Sequence, residues 1–85
     1  MSTQPTESTK RRLYDLLLED AKDKGYSLRS INWYMRELKL TKRFDVSDAL
    51  NEMANEKTIS RRTHWDGDIR RCRIIPKKKE NPYAE

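Results

Sequence analysis

The chain has 85 residues, of which 39% are charged and 34% apolar, and its 19 lysines and arginines outnumber 14 acidic residues to give a net charge of +5. A chain this short is expected to form one domain with a thin hydrophobic core, and its basic balance favours an acidic partner such as nucleic acid. The apolar residues recur at periodic positions, which favours a folded domain over a disordered chain despite the high charge.

The cysteine count and the hydropathy pattern narrow the class of protein further. Cys72 is the only cysteine, which excludes an intrachain disulfide and a zinc site built from several thiolates. No apolar run is long enough to span a membrane, and the amino terminus is polar, unlike a signal peptide. The sequence therefore predicts a reducing, cytoplasmic setting without membrane contact.

Three segments are predicted along the chain. Residues 1–6 are expected to form a disordered leader, and residues 77–85 a tail that is first basic and then flexible. The folded domain between them, residues 7–76, is predicted to contain three helices followed by a β-hairpin.

Apolar spacing and capping residues locate the three helices. The first is predicted over residues 7–24, before Gly25, and the second over residues 28–39, with Ser27 as its N-cap. The third is predicted over residues 46–57, after a turn at 41–44. Its inward-facing residues are Val46, Leu50 and Met53, flanked by Ala49 and Ala54, with Asp45 as cap.

The hairpin is predicted from an Asp66-Gly67 dipeptide between two β-compatible runs, residues 58–65 and 68–76. Asp-Gly suits the centre of a two-residue type I′ turn. The register that follows pairs Trp65 with Asp68, Thr63 with Arg70, Arg62 with Arg71, Ser60 with Arg73 and Ile59 with Ile74. Ile59, Cys72 and Ile74 then share the face that closes the core. Like charges directly opposite are destabilising, so Arg62 across from Arg71 suggests an anionic partner.

The segment Ala49–Arg62 resembles the end of the third helix and the first wing strand of winged helix-turn-helix domains. The matching positions are Leu50, Met53, Ile59, Ser60 and Arg61. One departure is that Lys57-Thr58 stands where the family usually has a glycine. The resemblance implies an α+β, mainly helical fold with a two-stranded wing, and DNA binding with the third helix in the major groove and the wing on the backbone or minor groove.

The hairpin is the first candidate site. From residue 61 to residue 79 there are eight basic and two acidic residues, a net charge of +6. The proposed phosphate contacts are Arg61, Arg62, Arg70, Arg71 and Arg73. The alternative is an edge hairpin kept soluble by its charge.

The third helix and the turn before it form the second candidate site. Lys42 and Arg43 precede the helix and are expected to meet phosphates, while Ser47, Asn51 and Asn55 are expected to read bases. Residues 44–57 nevertheless carry four carboxylates against one lysine, a net charge of −3. An acidic helix is repelled by phosphate, so Asp48 and Glu52 on its outer face are assigned to a protein partner as the competing reading.

The second helix supplies a third candidate, the face formed by Arg29, Trp33 and Arg36. This face is expected either to stack internally as a cation–π pair or to bind a protein partner. At the hairpin tip, His64 is expected to be an exposed polar residue. Trp65 is expected either to pack across the hairpin or to contact a partner.

No pattern in the chain indicates catalysis. There is no glycine-rich phosphate loop, no paired histidines at metal-ligand spacing and no serine or cysteine beside a plausible base. We therefore expect no enzyme, no cofactor and no metal.

The leading hypothesis is a small DNA-binding protein that regulates transcription or replication by binding double-stranded DNA, alone or as a homodimer. The alternative is a winged-helix adaptor or inhibitor that binds a protein through the acidic third helix or the Trp33 face. Small stand-alone domains of this kind are common in phages and mobile elements.

Overall fold

In the computed structural model, residues 7–84 are described, except for the side chain of Glu7, and they form three helices and one three-stranded antiparallel sheet. The α+β class expected from the sequence is confirmed at this level. The predicted leader, residues 1–6, lies outside the described residues. In chain order the elements are α1 (Glu7–Asp20), β1 (Ser27–Arg29), α2 (Ile31–Glu37), α3 (Arg43–Asn55), β2 (Ile59–Asp66) and β3 (Ile69–Pro76).

Helix α1 lies at the centre of the core but ends four residues before the predicted Lys24. Gly25 adopts a left-handed φ of +83°, and its amide donates to the carbonyl of Ala21 at 2.8 Å. This arrangement closes the chain after the helix, as glycine commonly does. The fully buried residues of α1 are Leu13, Tyr14 and Leu17.

The segment after α1 begins with a strand where the sequence predicts a helix. Ser27, the predicted N-cap, instead belongs to β1, which pairs antiparallel with β3. The N-cap of α2 is Ser30, whose Oγ accepts a hydrogen bond from the amide of Trp33 at 3.2 Å. Three residues are too few to produce a recognisable alternation, and this explains why the strand was read as the start of a helix.

Helix α3 begins at Arg43, three residues before the predicted start. Arg43 and Phe44, expected in a turn, therefore occupy the first helical turn, and so does Asp45, which is not the cap. The cap position belongs to Lys42, whose side chain makes no capping hydrogen bond. The predicted inward face is confirmed by four fully buried residues: Val46, Ala49, Leu50 and Met53.

The corner between α3 and β2 contains a left-handed residue that is not a glycine. Lys57 takes the left-handed φ of +64° that a glycine would adopt more readily, at a cost of about 1 kcal/mol. Thr58 then anchors the corner, because its amide and its hydroxyl both donate to the carbonyl of Met53, at 3.0 and 3.1 Å.

The strand order of the sheet is β1-β3-β2, so the predicted two-stranded hairpin has a third strand. The hairpin register differs from the predicted one by two residues: Arg62 lies opposite Arg73, not Arg71, and Arg61 lies opposite Ile74. A slip of two residues leaves every side chain on its predicted face. Accordingly, the predicted core face is confirmed by the burial of Ile59, Cys72 and Ile74.

The turn accounts for this difference in register. Asp66 pairs with Ile69, so Gly67 and Asp68 are the two central residues. Only Gly67 has a positive φ, +64°, and glycine at the first central position is typical of a type II′ turn. The predicted type I′ turn centred on Asp66-Gly67 is therefore wrong.

The described part of the predicted tail, residues 77–84, makes contacts with α1. The side-chain amide of Asn81 donates to the carbonyl of Arg11 at 2.7 Å, and the ring of Tyr83 packs edge-on against Tyr14 with centroids 6.0 Å apart. The buried Tyr14 hydroxyl also donates to the carbonyl of Lys78 and accepts from its amide, both at 2.9 Å. Within residues 7–84, no helix is long and apolar enough to cross a membrane.

Candidate nucleic-acid interface

One side of α3 faces the hairpin and carries polar and basic residues. Arg43, Ser47 and Asn51 are spaced four residues apart, which places them in line along this side. The guanidinium of Arg61 in β2 donates to the side-chain oxygen of Asn51. This bond ties the hairpin to the helix and leaves the amide nitrogen of Asn51 available to a ligand.

A groove of about 400 Å³ lies between α2, α3 and the hairpin, and we call it the basic groove. It contains three guanidinium groups, and no carboxylate lines it among the described residues. Its lining residues are Ser30, Ile31, Asn32, Arg43, Ser47, Arg61, Ile69, Arg70 and Cys72. Five predicted DNA contacts thus lie in this region: four line the groove, and Asn51 borders it through Arg61. The predicted reader Asn55 is exposed, but it does not line the groove.

The opposite side of α3 uses its carboxylates for internal contacts. The ammonium of Lys10 in α1 lies 3.0 Å from Glu52 and 3.5 Å from Glu56, and the Lys10 side chain is only 4% exposed. Glu56 also accepts a hydrogen bond from the hydroxyl of Tyr83. Glu52, predicted to lie at the exposed centre of the helix, is therefore half-buried and ion-paired. Asp48 is also half-buried, and it forms no ion pair with any of the residues that the structure describes.

The aromatic ring of Phe44 is a feature that the sequence reading missed. It is 76% exposed in the first turn of α3. With Ile31, Lys42, Arg43 and Ser47 it lines a cavity of about 530 Å³ beside the basic groove. Extending the helical wheel of α3 back by one turn would have placed Phe44 opposite the buried face, but the helix was predicted to start later.

The five hairpin arginines, predicted as one set, are divided between the two faces of the sheet. Neighbouring residues of a strand point to opposite faces, so the inner face toward α3 carries Arg61 and Arg70. The outer face carries Arg62, Arg71 and Arg73. At the tip, His64 and Trp65 are both exposed, and the indole of Trp65 is 62% exposed.

The second-helix face is engaged in internal contacts at two of its three residues. The guanidinium of Arg29 stacks 4.5 Å from the ring centroid of Trp33 and binds both carboxylate oxygens of Asp20, at 2.9 and 3.2 Å. The hydrogen bond from Arg29 lowers the pKa of Asp20. The stacking alternative for this face is therefore confirmed, and Arg36 is exposed beside it.

A buried hydroxyl pair connects this face to the core. Ser27 is fully buried, and its hydroxyl hydrogen-bonds to the carboxylate of Asp20 and lies 2.6 Å from the hydroxyl of Tyr34. Burial raises the pKa of Tyr34 well above its ordinary value. The hydrogen bonds among these three side chains join α1, β1 and α2.

No protein-family model, no curated protein and no solved structure matches this chain. Its function must therefore be argued from the geometry of the described residues. The strongest local feature is the basic groove, where residues from three separate elements, α3, β2 and β3, bring three guanidinium groups to one concave surface.

Proposed function

We propose that this protein is a winged helix DNA-binding domain that binds double-stranded DNA through the basic groove. In this mode α3 enters the major groove, which has room for one helix, and the inner face of the hairpin lies on the neighbouring phosphates. The single observation that carries the proposal is the convergence of Arg43, Arg61 and Arg70 on a groove that no described carboxylate lines.

Five polar side chains in or beside the groove have a chemical role in this proposal. Arg43 and Arg70 supply charge-assisted hydrogen bonds to phosphate oxygens. Ser47 and the amide of Asn51 are donors and acceptors that suit base edges. Arg61 orients Asn51 through the hydrogen bond between them.

The acidic composition of α3, the main objection from the sequence, has a structural answer. Glu52 and Glu56 share the nearly buried ammonium of Lys10 on the side toward α1. Salt in solution further screens the field of these partly exposed carboxylates. The repulsion expected from a net charge of −3 is therefore smaller at the groove than the helix composition suggests.

The test is a titration with duplex DNA at several salt concentrations. We expect the double variant Arg43→Gln/Arg70→Gln to bind less tightly and to lower the slope of log affinity against log salt by about 2, one unit for each phosphate contact. The matched control is Arg11→Gln/Lys22→Gln, which removes the same charge from exposed positions in and after α1.

The control distinguishes a local site from a general charge effect. We expect its salt slope to match that of the wild type. Equal slopes for the control and the groove variant would contradict the proposal, as would the absence of wild-type binding at low salt.

A second candidate function, a protein-interaction module, is favoured by Phe44. An aromatic ring that is 76% exposed beside an apolar cavity is a common anchor for a protein partner. The same ring can also contact a thymine methyl group in the major groove. Combining a substitution of Phe44 with removal of thymine methyl groups from the DNA therefore distinguishes the two functions.

A further inference from the structure

The outer face of the hairpin carries two arginines directly opposite each other. Arg62 of β2 pairs in register with Arg73 of β3. Side chains at such positions have Cβ atoms about 5 Å apart, and like charges there are destabilising. Together with Ser60 and Ile75, the two arginines surround a hollow of about 220 Å³.

The surroundings of this pair leave its positive charge uncompensated. The third outer-face arginine, Arg71, forms an ion pair with Asp66 at 3.6 Å. Arg73 stacks 4.7 Å from the ring centroid of Tyr26, which fixes the direction of its guanidinium. In the described part of the chain, neither Arg62 nor Arg73 forms an ion pair. Two guanidiniums and a serine hydroxyl around one hollow match a phosphodiester group, which accepts bidentate hydrogen bonds from arginine.

This hollow opens away from the basic groove, since the two faces of a sheet point in opposite directions. If α3 fills a major groove, the hairpin lies over the adjacent minor groove, which is only about 6 Å wide. A ribbon with arginines on both faces is too thick for that space, because even two stacked sheets, with their side chains interleaved, lie about 10 Å apart. The outer arginines therefore face away from the duplex that the basic groove holds.

We propose that the outer face of the hairpin is a second phosphodiester-binding site, formed by Arg62, Arg73 and Ser60, which binds a second DNA duplex while the basic groove holds the first. This inference rests on the proposed DNA-binding function. It assigns to a single protein molecule the ability to bridge two DNA segments. The like-charge pair is then stabilised when a phosphate lies between the guanidiniums.

The experiment measures bridging and simple binding with the same proteins. One duplex is immobilised on beads, and retention of a second, fluorescent duplex is measured at low salt with and without protein. Affinity for a single free duplex is measured in parallel by fluorescence anisotropy. The variant is Arg62→Gln/Arg73→Gln, and the matched control is Lys77→Gln/Lys78→Gln, which removes the same charge just beyond β3. Circular dichroism verifies that both variants are folded.

We expect the wild type and the control to retain the second duplex. The Arg62→Gln/Arg73→Gln variant should retain about tenfold less, while its affinity for a single duplex equals that of the control. Equal retention by the variant and the control would overturn the inference, because bridging would then come from two basic grooves of a dimer. Single-duplex binding without bridging by the wild type would overturn the inference and leave the proposed function standing. Absence of single-duplex binding would overturn both.

Discussion

The two sides of α3 differ in what their charged residues contact. On the side toward α1, Glu52 and Glu56 share the ammonium of Lys10, which is almost completely buried. On the side toward the hairpin, Arg43 of α3 and Arg61 of β2 line an open groove that no described carboxylate lines. One side of α3 is thus acidic and internally compensated, whereas the other side borders a groove whose guanidinium groups come from both α3 and the hairpin.

This difference shows that the net charge of a helix does not describe the surface it offers to a partner. Charges that are paired with a neighbouring element are already partly neutralised, and the field at a binding site comes mostly from the charges that are not. The composition of α3 argues against DNA binding, whereas the distribution of its partners favours it.

The largest expected effect comes from removing the cation on the acidic side. Lys10→Met leaves two neighbouring carboxylates without their shared partner, and we expect the free energy of unfolding to fall by about 2 kcal/mol. The value is below that of a fully buried ion pair because the two carboxylate side chains are 34% and 45% exposed. Urea denaturation measures the change, and the salt slope of DNA binding should stay unchanged.

The control for this prediction is Lys22→Met. Lys22 forms an exposed ion pair with Glu19 at 3.5 Å, and such pairs contribute less than about 1 kcal/mol. Equal losses of stability in the two variants would show that Lys10 is not a structural cation, and the distinction between the two sides of α3 would fail.

A smaller effect on stability is expected from removing the hydroxyl of Tyr83, which donates a hydrogen bond to Glu56 on the acidic side of α3. Burial and, to a smaller extent, the hydrogen bond to Glu56 raise the pKa of Tyr83 to about 12. The pKa of a tyrosine in an unfolded chain is about 10. The unfolded state therefore loses this proton first, and the contribution of Tyr83 to stability, complete below pH 10, is lost as the pH rises toward 12. We expect the stability advantage of the wild type over Tyr83→Phe to shrink by about 1 kcal/mol across this range.

Denaturation curves of both proteins between pH 8 and pH 12 test this expectation. The other tyrosines titrate in both proteins and cancel in the difference. A difference in stability that is constant with pH would mean that the Tyr83 hydroxyl has an ordinary pKa.

The smallest expected effect is a change in affinity for duplex DNA when Phe44, beside the basic groove, is replaced by alanine. Phe44→Ala should leave stability unchanged within about 0.5 kcal/mol, because the ring is 76% exposed. On the tightest-binding duplex selected from a random pool, replacing each thymine in turn by uracil removes one methyl group. At one position we expect wild-type affinity to fall about threefold and that of Phe44→Ala to stay constant. If every thymine can be replaced without loss of wild-type affinity, Phe44 does not contact a thymine methyl group. The protein-interaction function would then be the one that its exposure favours.

The helices and the core face were predictable because they depend on local periodicity. The four apolar positions of α3 recur at helical spacing, and alternation alone placed Ile59, Cys72 and Ile74 on one face. The alternation rule would also have divided the hairpin arginines into inner and outer sets.

Other features depend on long-range contacts that the sequence does not display. Nothing in the spacing of α1 indicates that Lys10 is buried against carboxylates more than forty residues away. The choice between Asp66-Gly67 and Gly67-Asp68 as the turn centre is a choice between two turn types that both accept glycine. Strand β1 depends on its pairing with β3, which is distant in the sequence. These elements are decided by packing rather than by local preference.

The backbone continues to be hydrogen-bonded beyond the last residue of β3. After Pro76, the hydroxyl of Tyr14 meets both backbone groups of Lys78, at 2.9 Å each, and so satisfies a donor and an acceptor much as a neighbouring strand would. One side chain of a helix thus serves as a substitute for a strand. Phenylalanine would fill the same volume and leave the backbone of Lys78 unpaired, so this position distinguishes two aromatic residues that hydrophobicity alone would treat as equivalent.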